Sequence, residues 1–297
     1  MSTRAKVFLG LGIYVALIVA TALIFGWSRN DNNEYQPQNE FKLDTWINLP
    51  GPFDINKAVV YVVIASVLTV LTMVYVARRM QQRPGRLQTT VELAFTLMRD
   101  NITRGNMDSR MAAKWFPFIA TLFLFIWFSN MIGYLPLPTA TEHKITILGL
   151  QVPSFALYAA TANLSIPLCL ALVVWISYNV EGVRAKGLGG YLKSLVPAGV
   201  TGGMAVFIFI LEFFSNVMRL LSLSVRLFAN ILAGHLIILF MAGGLVVLLG
   251  IEALGVITLP AGIILFIFEV GLVATLQAFI FATLTAIYLG GAVAQEH

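Results

Sequence analysis

Glu212, Ser215, Arg219, Ser222, Arg226 and Asn230 all fall inside one apolar stretch, Met204–Leu249, that is long enough to cross a bilayer. Take Arg226 as zero on a helical wheel of about 100° per residue. Ser222 then lies near about −40°, Arg219 near about +20°, Ser215 near about −20°, and Glu212 and Asn230 near about +40°. One narrow face therefore carries six polar residues over about 27 Å of helix, at about 1.5 Å per residue. Serine and asparagine in a membrane helix are explained simply by hydrogen bonds to a neighbouring helix. Two arginines and a glutamate on the same face need another reason. Arg219 can snorkel if it lies near an end. Arg226 lies deeper, stays protonated at any working pH, and costs several kcal/mol in hydrocarbon. A fixed cation of that kind marks a functional site by default. His235 projects to about 180°, away from the stripe.

A second apolar stretch, Leu259–Leu289, supplies Glu269 and Gln277. In a regular helix they sit about two turns apart and about 80° around from one another. A carboxylate in lipid is costly unless paired or wet. Glu269 therefore either pairs with an arginine or relays protons, as glutamate and histidine can when burial tunes them toward neutrality. Gln277 suits a hydrogen-bonding member of such a relay. Asn130 closes the run Trp127-Phe128-Ser129-Asn130 near the end of another apolar stretch, where it is either a packing residue or part of the path.

These groups need a membrane scaffold, and the composition supplies one. The chain is 59% hydrophobic and 11% charged, against roughly 25% charged in soluble domains. Candidate spans are Val7–Trp27, Ala58–Val76, Trp115–Leu135, Phe155–Tyr178, Met204–Leu249 and Leu259–Leu289. The last two exceed one upright crossing, so each is strongly tilted or a broken hairpin. Gly243-Gly244 and Gly250 are weak points in the fifth, and Pro260-Ala261-Gly262 marks the start of the sixth. The expected fold is an all-α polytopic membrane protein with five to six membrane segments.

The net charge of +5 sets topology and does not point to nucleic acid. Arg78, Arg79, Arg83, Arg86, Arg99, Arg104, Arg110 and Lys114 fall between spans two and three. Arg184, Lys186 and Lys193 follow span four, and Arg4 and Lys6 precede span one. All lie on one side if the amino terminus is cytoplasmic. The loop 28–55 is acidic and expected outside. Val7–Trp27 is either a retained helix or, at Ala20-Thr21-Ala22, a cleaved signal peptide. Leu87–Ile102 has helical spacing with one wet face and is expected along the inner surface. A single cysteine, Cys169, excludes a disulfide framework. His143, His235 and His297 have no metal-ligand spacing, and no cofactor motif is visible.

The run Leu223-Ser224-Val225-Arg226-Leu227-Phe228-Ala229-Asn230-Ile231-Leu232-Ala233-Gly234-His235-Leu236 resembles subunit a of the F-type ATP synthases. So do Leu276-Gln277-Ala278-Phe279-Ile280-Phe281, Asn130-Met131-Ile132-Gly133-Tyr134-Leu135-Pro136 and Gly85-Arg86-Leu87-Gln88-Thr89-Thr90-Val91-Glu92. The resemblance covers most of the chain from about residue 55. It implies a proton-conducting stator in a bacterial plasma membrane, non-catalytic by itself and without a cofactor. Its implied partners are c-ring subunits, peripheral-stalk b subunits and membrane lipid, with no nucleic acid. Residues 57–297 would form the channel domain, after an amino-terminal helix and acidic external loop in residues 1–56.

By the same resemblance Arg226 is the essential stator arginine. Ser222, Asn230, His235, Asn130 and Gln277 match positions on the proton inlet, and Glu212 and Arg219 match positions near the outlet. Two features depart from the usual bacterial pattern. The position of His235 is acidic in many bacterial relatives, and histidine there resembles the mitochondrial arrangement, in which a glutamate on the last helix, Glu269, is its partner. Glu269 stands eight residues before Gln277, where the family more often has seven. The alternative is a secondary ion-coupled transporter, a class that typically shows internal repeats absent here.

Overall fold

The computed structural model describes residues 12, 14–16, 20, 41, 43, 45–47, 55–79, 85–147, 150–197, 199–244, 246 and 254–294. Most of Val7–Trp27, the charged residues of the acidic loop, Arg83-Pro84, Gly250 and Glu252 lie outside the described residues.

The described chain is helical and apolar, and five of its helical segments are long and apolar enough to cross a membrane. Helix α1 spans Lys57–Arg79. Helix α2 spans Arg86–Thr96 and runs through a π-helical turn, Leu97–Thr103, to Asn106. Helix α3 spans Ser109–Gly133, with the Asp108 side chain accepting from the Arg110 N–H at its start. Helix α4 spans Ser165–Lys193 and α5 spans Gly203–Leu239. Helix α6 (Gly255–Phe268), a π turn (Glu269–Val273) and α7 (Ala274–Val293) form one continuous rod. Two small antiparallel ribbons lie between helices. Strands β1 (Thr45–Ile47) and β2 (Ile55–Asn56) form one; β3 (Leu137–Ile147) and β4 (Leu150–Ala156) form the other.

At about 1.5 Å per residue, the 37 residues of α5 reach about 55 Å, well beyond a hydrocarbon layer of about 30 Å. A helix of that length either tilts strongly or runs beyond the hydrocarbon layer. The continuity of α5 breaks into a π turn at Phe240–Gly244, at the glycine pair singled out from sequence.

Two expected boundaries move. The fourth span begins at Ser165 and not at Phe155, because Phe155 and Ala156 belong to β4. The Asn163 carboxamide oxygen accepts the Ser165 N–H at 3.0 Å, which supplies a start signal later in the run. The sixth begins at Gly255, so Pro260 lies inside the helix. Proline lacks the N–H that would reach the carbonyl four residues earlier. That carbonyl, on Val256, instead accepts the Tyr14 hydroxyl at 2.7 Å. The amphipathic stretch expected at Leu87–Ile102 is α2 with its π turn, and Met98 and Ile102 on one side of it are buried.

Without a strong hydrophobic drive between helices in lipid, packing depends on close approach of small residues. On α7, Ala274, Ala278, Ala282 and Ala286 recur every four residues and are fully buried, and Gly290 continues the row against the Asn106 backbone. Ala278, Ala282 and Ala286 lie in the main core, with Phe123 and Ile126 of α3 and Phe281 and Leu289 of α7, while Ala274 packs with Tyr134 and Ile238. Ala282→Leu should therefore overpack the core by about 1–3 kcal/mol. The expected result is a lower temperature for loss of the helical circular-dichroism signal of the detergent-solubilised protein. An unchanged transition would mean that this row is not closely packed.

Candidate functional site

Three polar groupings converge on α5. The first is its exposed face. Val225, Arg226, Ala229, Asn230 and Ala233 are exposed, as is Ser222 one turn earlier. Among the described residues Arg226 has no hydrogen-bond or ion-pair partner. Its neighbours Leu223, Leu227 and Ile231 point into the core. The helix thus turns its apolar side inward and presents the guanidinium outward. The surrounding exposed surface is also apolar, with Leu221, Val225, Met218, Phe214 and Ile237. A cation surrounded by exposed apolar side chains, in a helix of spanning length, is costly in lipid unless an anion or water meets it.

The second grouping is behind that face. His235 is buried on the opposite side of α5 from Arg226, where the wheel places it. Its Nδ1 lies 2.9 Å from the Ile231 carbonyl and its Nε2 lies 3.1 Å from the Gly133 carbonyl. Neutral imidazole has one N–H and can donate to only one of these oxygens; the imidazolium form donates to both. The Tyr134 ring stacks on His235 with centroids 4.5 Å apart. The Tyr134 hydroxyl donates to Glu269 Oε2 at 3.3 Å. Gly234 leaves the space that the Glu269 carboxyl fills, so that a Cβ there would meet the carboxyl oxygens. The histidine and glutamate paired by sequence resemblance therefore sit in one cluster. Tyr134 bridges them, touching one through its ring and the other through its hydroxyl.

Asn130 lies beside this cluster, fully buried. Its Nδ2 donates to the Ala274 carbonyl at 3.1 Å, and its oxygen accepts the Thr161 hydroxyl at 2.7 Å. Trp127 donates from its ring nitrogen to Thr275 at 3.2 Å. Both contacts fix α3 against the start of α7. Gln277 is buried too. The expected offset of about 80° between Glu269 and Gln277 assumed a regular helix, but the π turn Glu269–Val273 intervenes, and both side chains face inward. Ser222 and Asn230 do not join this group, since they share the exposed face with Arg226.

The third grouping is about two to four turns before Arg226. Arg219 pairs with Glu212 at 3.1 Å, both half-exposed, and lies over the Tyr288 ring at 5.6 Å. Beside it runs a polar chain that sequence reasoning did not single out. Tyr178 donates to the Asn216 side-chain oxygen. Asn216 donates to Asn179 at 2.9 Å, and Tyr191 donates to Asn179 at 2.7 Å. Trp175 donates to the Asn216 carbonyl at 3.1 Å. Farther along α4, Lys114 pairs with the buried Glu181 at 2.5 Å. These residues are spread over three helices, and only their folding brings them together. Tyr134 was also missed as a site residue, although it directly follows Gly133 at the end of α3 and is one of few hydroxyls there.

Fold and site together define a multi-pass membrane protein with, on one outward face, a cation unpaired among the described residues and, behind it, a buried acid–base cluster. The family model for the ATP synthase A chain matches residues 59–290, and the chain belongs to that family. Among its relatives, ATP synthase subunit a of Rubrobacter xylanophilus is 34% identical over 237 residues, covering 79% of this chain and 83% of that one. ATP synthase subunit a of Maricaulis maris is 34% identical over 244 residues, covering 80% and 88%. ATP synthase subunit a of Myxococcus xanthus is 32% identical over 262 residues, covering 84% and 78%.

Proposed function

We propose that this subunit is the proton-conducting stator of a rotary ATP synthase, with two aqueous half-channels separated by Arg226, which faces a ring of c subunits. The supporting observation is an arginine that is exposed, unpaired among the described residues and set in an apolar outward face of α5. Such a cation awaits an anion from another chain. A ring carboxylate arriving protonated through lipid would be favoured in its charged form beside Arg226 and would release its proton. Arginine does not readily give up its own proton, so it also blocks a direct leak between the half-channels.

The inlet would use Asn130, His235, Glu269 and Gln277, open to the outer side, with Ser222 and Asn230 flanking the arginine. A proton reaching His235 finds a carbonyl acceptor at each ring nitrogen. The outlet would use Glu212 and Arg219 on the inner side. Each proton crossing about 100 mV releases about 2.3 kcal/mol, so several are needed per ATP. The amino terminus would be cytoplasmic, residues 57–297 would form the channel domain, and b subunits and lipid would cover outward faces away from the ring. The subunit itself would catalyse no chemistry and hold no cofactor.

Cysteine cross-linking tests the placement. With the exposed Cys169 replaced by serine, Ala229→Cys should form disulfides with cysteines scanned along the ring subunit. A cysteine at the buried Ala278 should not. If cysteines at positions 225, 229 and 233 all fail to cross-link in assembled complex, the face of α5 does not meet the ring.

A further inference from the structure

The rod formed by α6, the π turn and α7 changes phase in its middle. From Ala274 onward the buried side chains follow a regular helix: Ala274, Ala278, Phe281, Ala282, Thr285 and Leu289. Continued backward in steps of seven, that face would include Gly271, Ile267 and Ile264. Gly271 is exposed, and Ile267 and Ile264 are 65% and 68% exposed. The inward residues are instead Glu269 and Gly262, with Phe266 packed beside Tyr134. The burial pattern has slipped by one residue. The slip coincides with the π turn, where the Ala274 N–H bonds the Glu269 carbonyl five residues back.

A π turn holds about one residue more than an α turn. Eight steps with one residue absorbed turn like seven, about 700°, which leaves Glu269 only about 20° from Gln277 and not about 80°. Asn130 and Trp127 grip the rod at Ala274 and Thr275, directly after the turn. Gly234 on α5 leaves room for the carboxyl, and Tyr134 binds it.

We propose that the π turn Glu269–Val273 is a register device. It absorbs one surplus residue and so aims Glu269 at Tyr134 and His235, on the face that carries Gln277. The surplus residue lies on the outer side, where Gly271 faces open space and Leu272 is half-exposed. The helix on either side keeps its packing because the slip is confined to this turn. This rests on the reading of Glu269 as a relay group.

The test is deletion of Leu272 in the full complex, read by ATP-driven proton pumping in inverted vesicles and by co-purification of the ring. Deletion leaves Glu269 seven positions before Gln277, a step that a regular α-helix keeps on one face. The expected result is an assembled complex that pumps within about threefold of wild type. A complex that does not assemble, or that pumps below about a third of the wild-type rate, overturns the proposal. Glu269→Gln forms the second arm. If it pumps like wild type, the reading of Glu269 as a relay falls, whatever the deletion does. If it is inactive and the deletion is also inactive, only the register device falls.

Discussion

Arg226→Ala should abolish ATP-driven proton pumping in inverted vesicles while the complex still assembles. The two halves of that expectation have separate physical grounds. Assembly should persist because Arg226 makes no ion pair or hydrogen bond among the described residues, and its flanking Leu223 and Leu227 carry the packing of that turn. Removing a cation from hydrocarbon even relieves a cost of about 2.5–3.5 kcal/mol on insertion scales. Pumping should vanish because nothing else on the exposed face of α5 carries a fixed positive charge near that level. Arg219 is engaged with Glu212 and Tyr288, two turns away. Without the cation a ring carboxylate has no reason to ionise there, and each carboxylate keeps its proton past the stator. Arg226→Lys should fail too, since a desolvated ammonium can lose its proton and leak, where guanidinium cannot. Pumping by Arg226→Ala above a tenth of the wild-type rate would refute the stator role.

The sequence carries the stripe on α5 because a helix of known period needs no partner to define its faces. Arg226 exposed and His235 buried follow from a wheel alone. The long last spans were legible for the same reason, as runs too apolar and too long for one upright crossing. What was not legible depends on departures from that period or on other helices. The relation of Glu269 to Gln277 is hidden because a π turn leaves no compositional mark in Glu269-Val270-Gly271-Leu272-Val273. Helix α4 starts late because Phe155 and Ala156 pair in strand β4, and Asn163 accepts the Ser165 N–H only at the helix start. The chain from Tyr178 through Asn216 and Asn179 to Tyr191 lies on two helices and a kinked extension, where Gly187 takes a φ of 72°. No spacing within one segment announces it. Tyr134 is similar: its ring and hydroxyl acquire meaning only when α5 and the π turn fold against it.

The cluster around Tyr134 also makes the second large prediction. Glu269→Gln keeps the shape of the side chain and the space it fills beside Gly234, so packing should survive. It removes the only carboxylate among the described residues of the rod from Gly255 to Val293. An amide cannot take up and pass on a proton, so pumping should fall at least tenfold, equivalent to about 1.4 kcal/mol on the barrier. Tyr134→Phe separates position from proton transfer. It keeps the ring stacked on His235 and deletes one long hydrogen bond to Glu269. The loss of a bond worth about 1 kcal/mol should slow pumping about fivefold. The double variant should be no slower than Glu269→Gln alone, because Tyr134 acts only through the carboxylate it holds. Groups in one network couple in this way, whereas independent groups add. If the two losses add in full, Tyr134 serves His235 or the helix packing, and the carboxylate is held by something else.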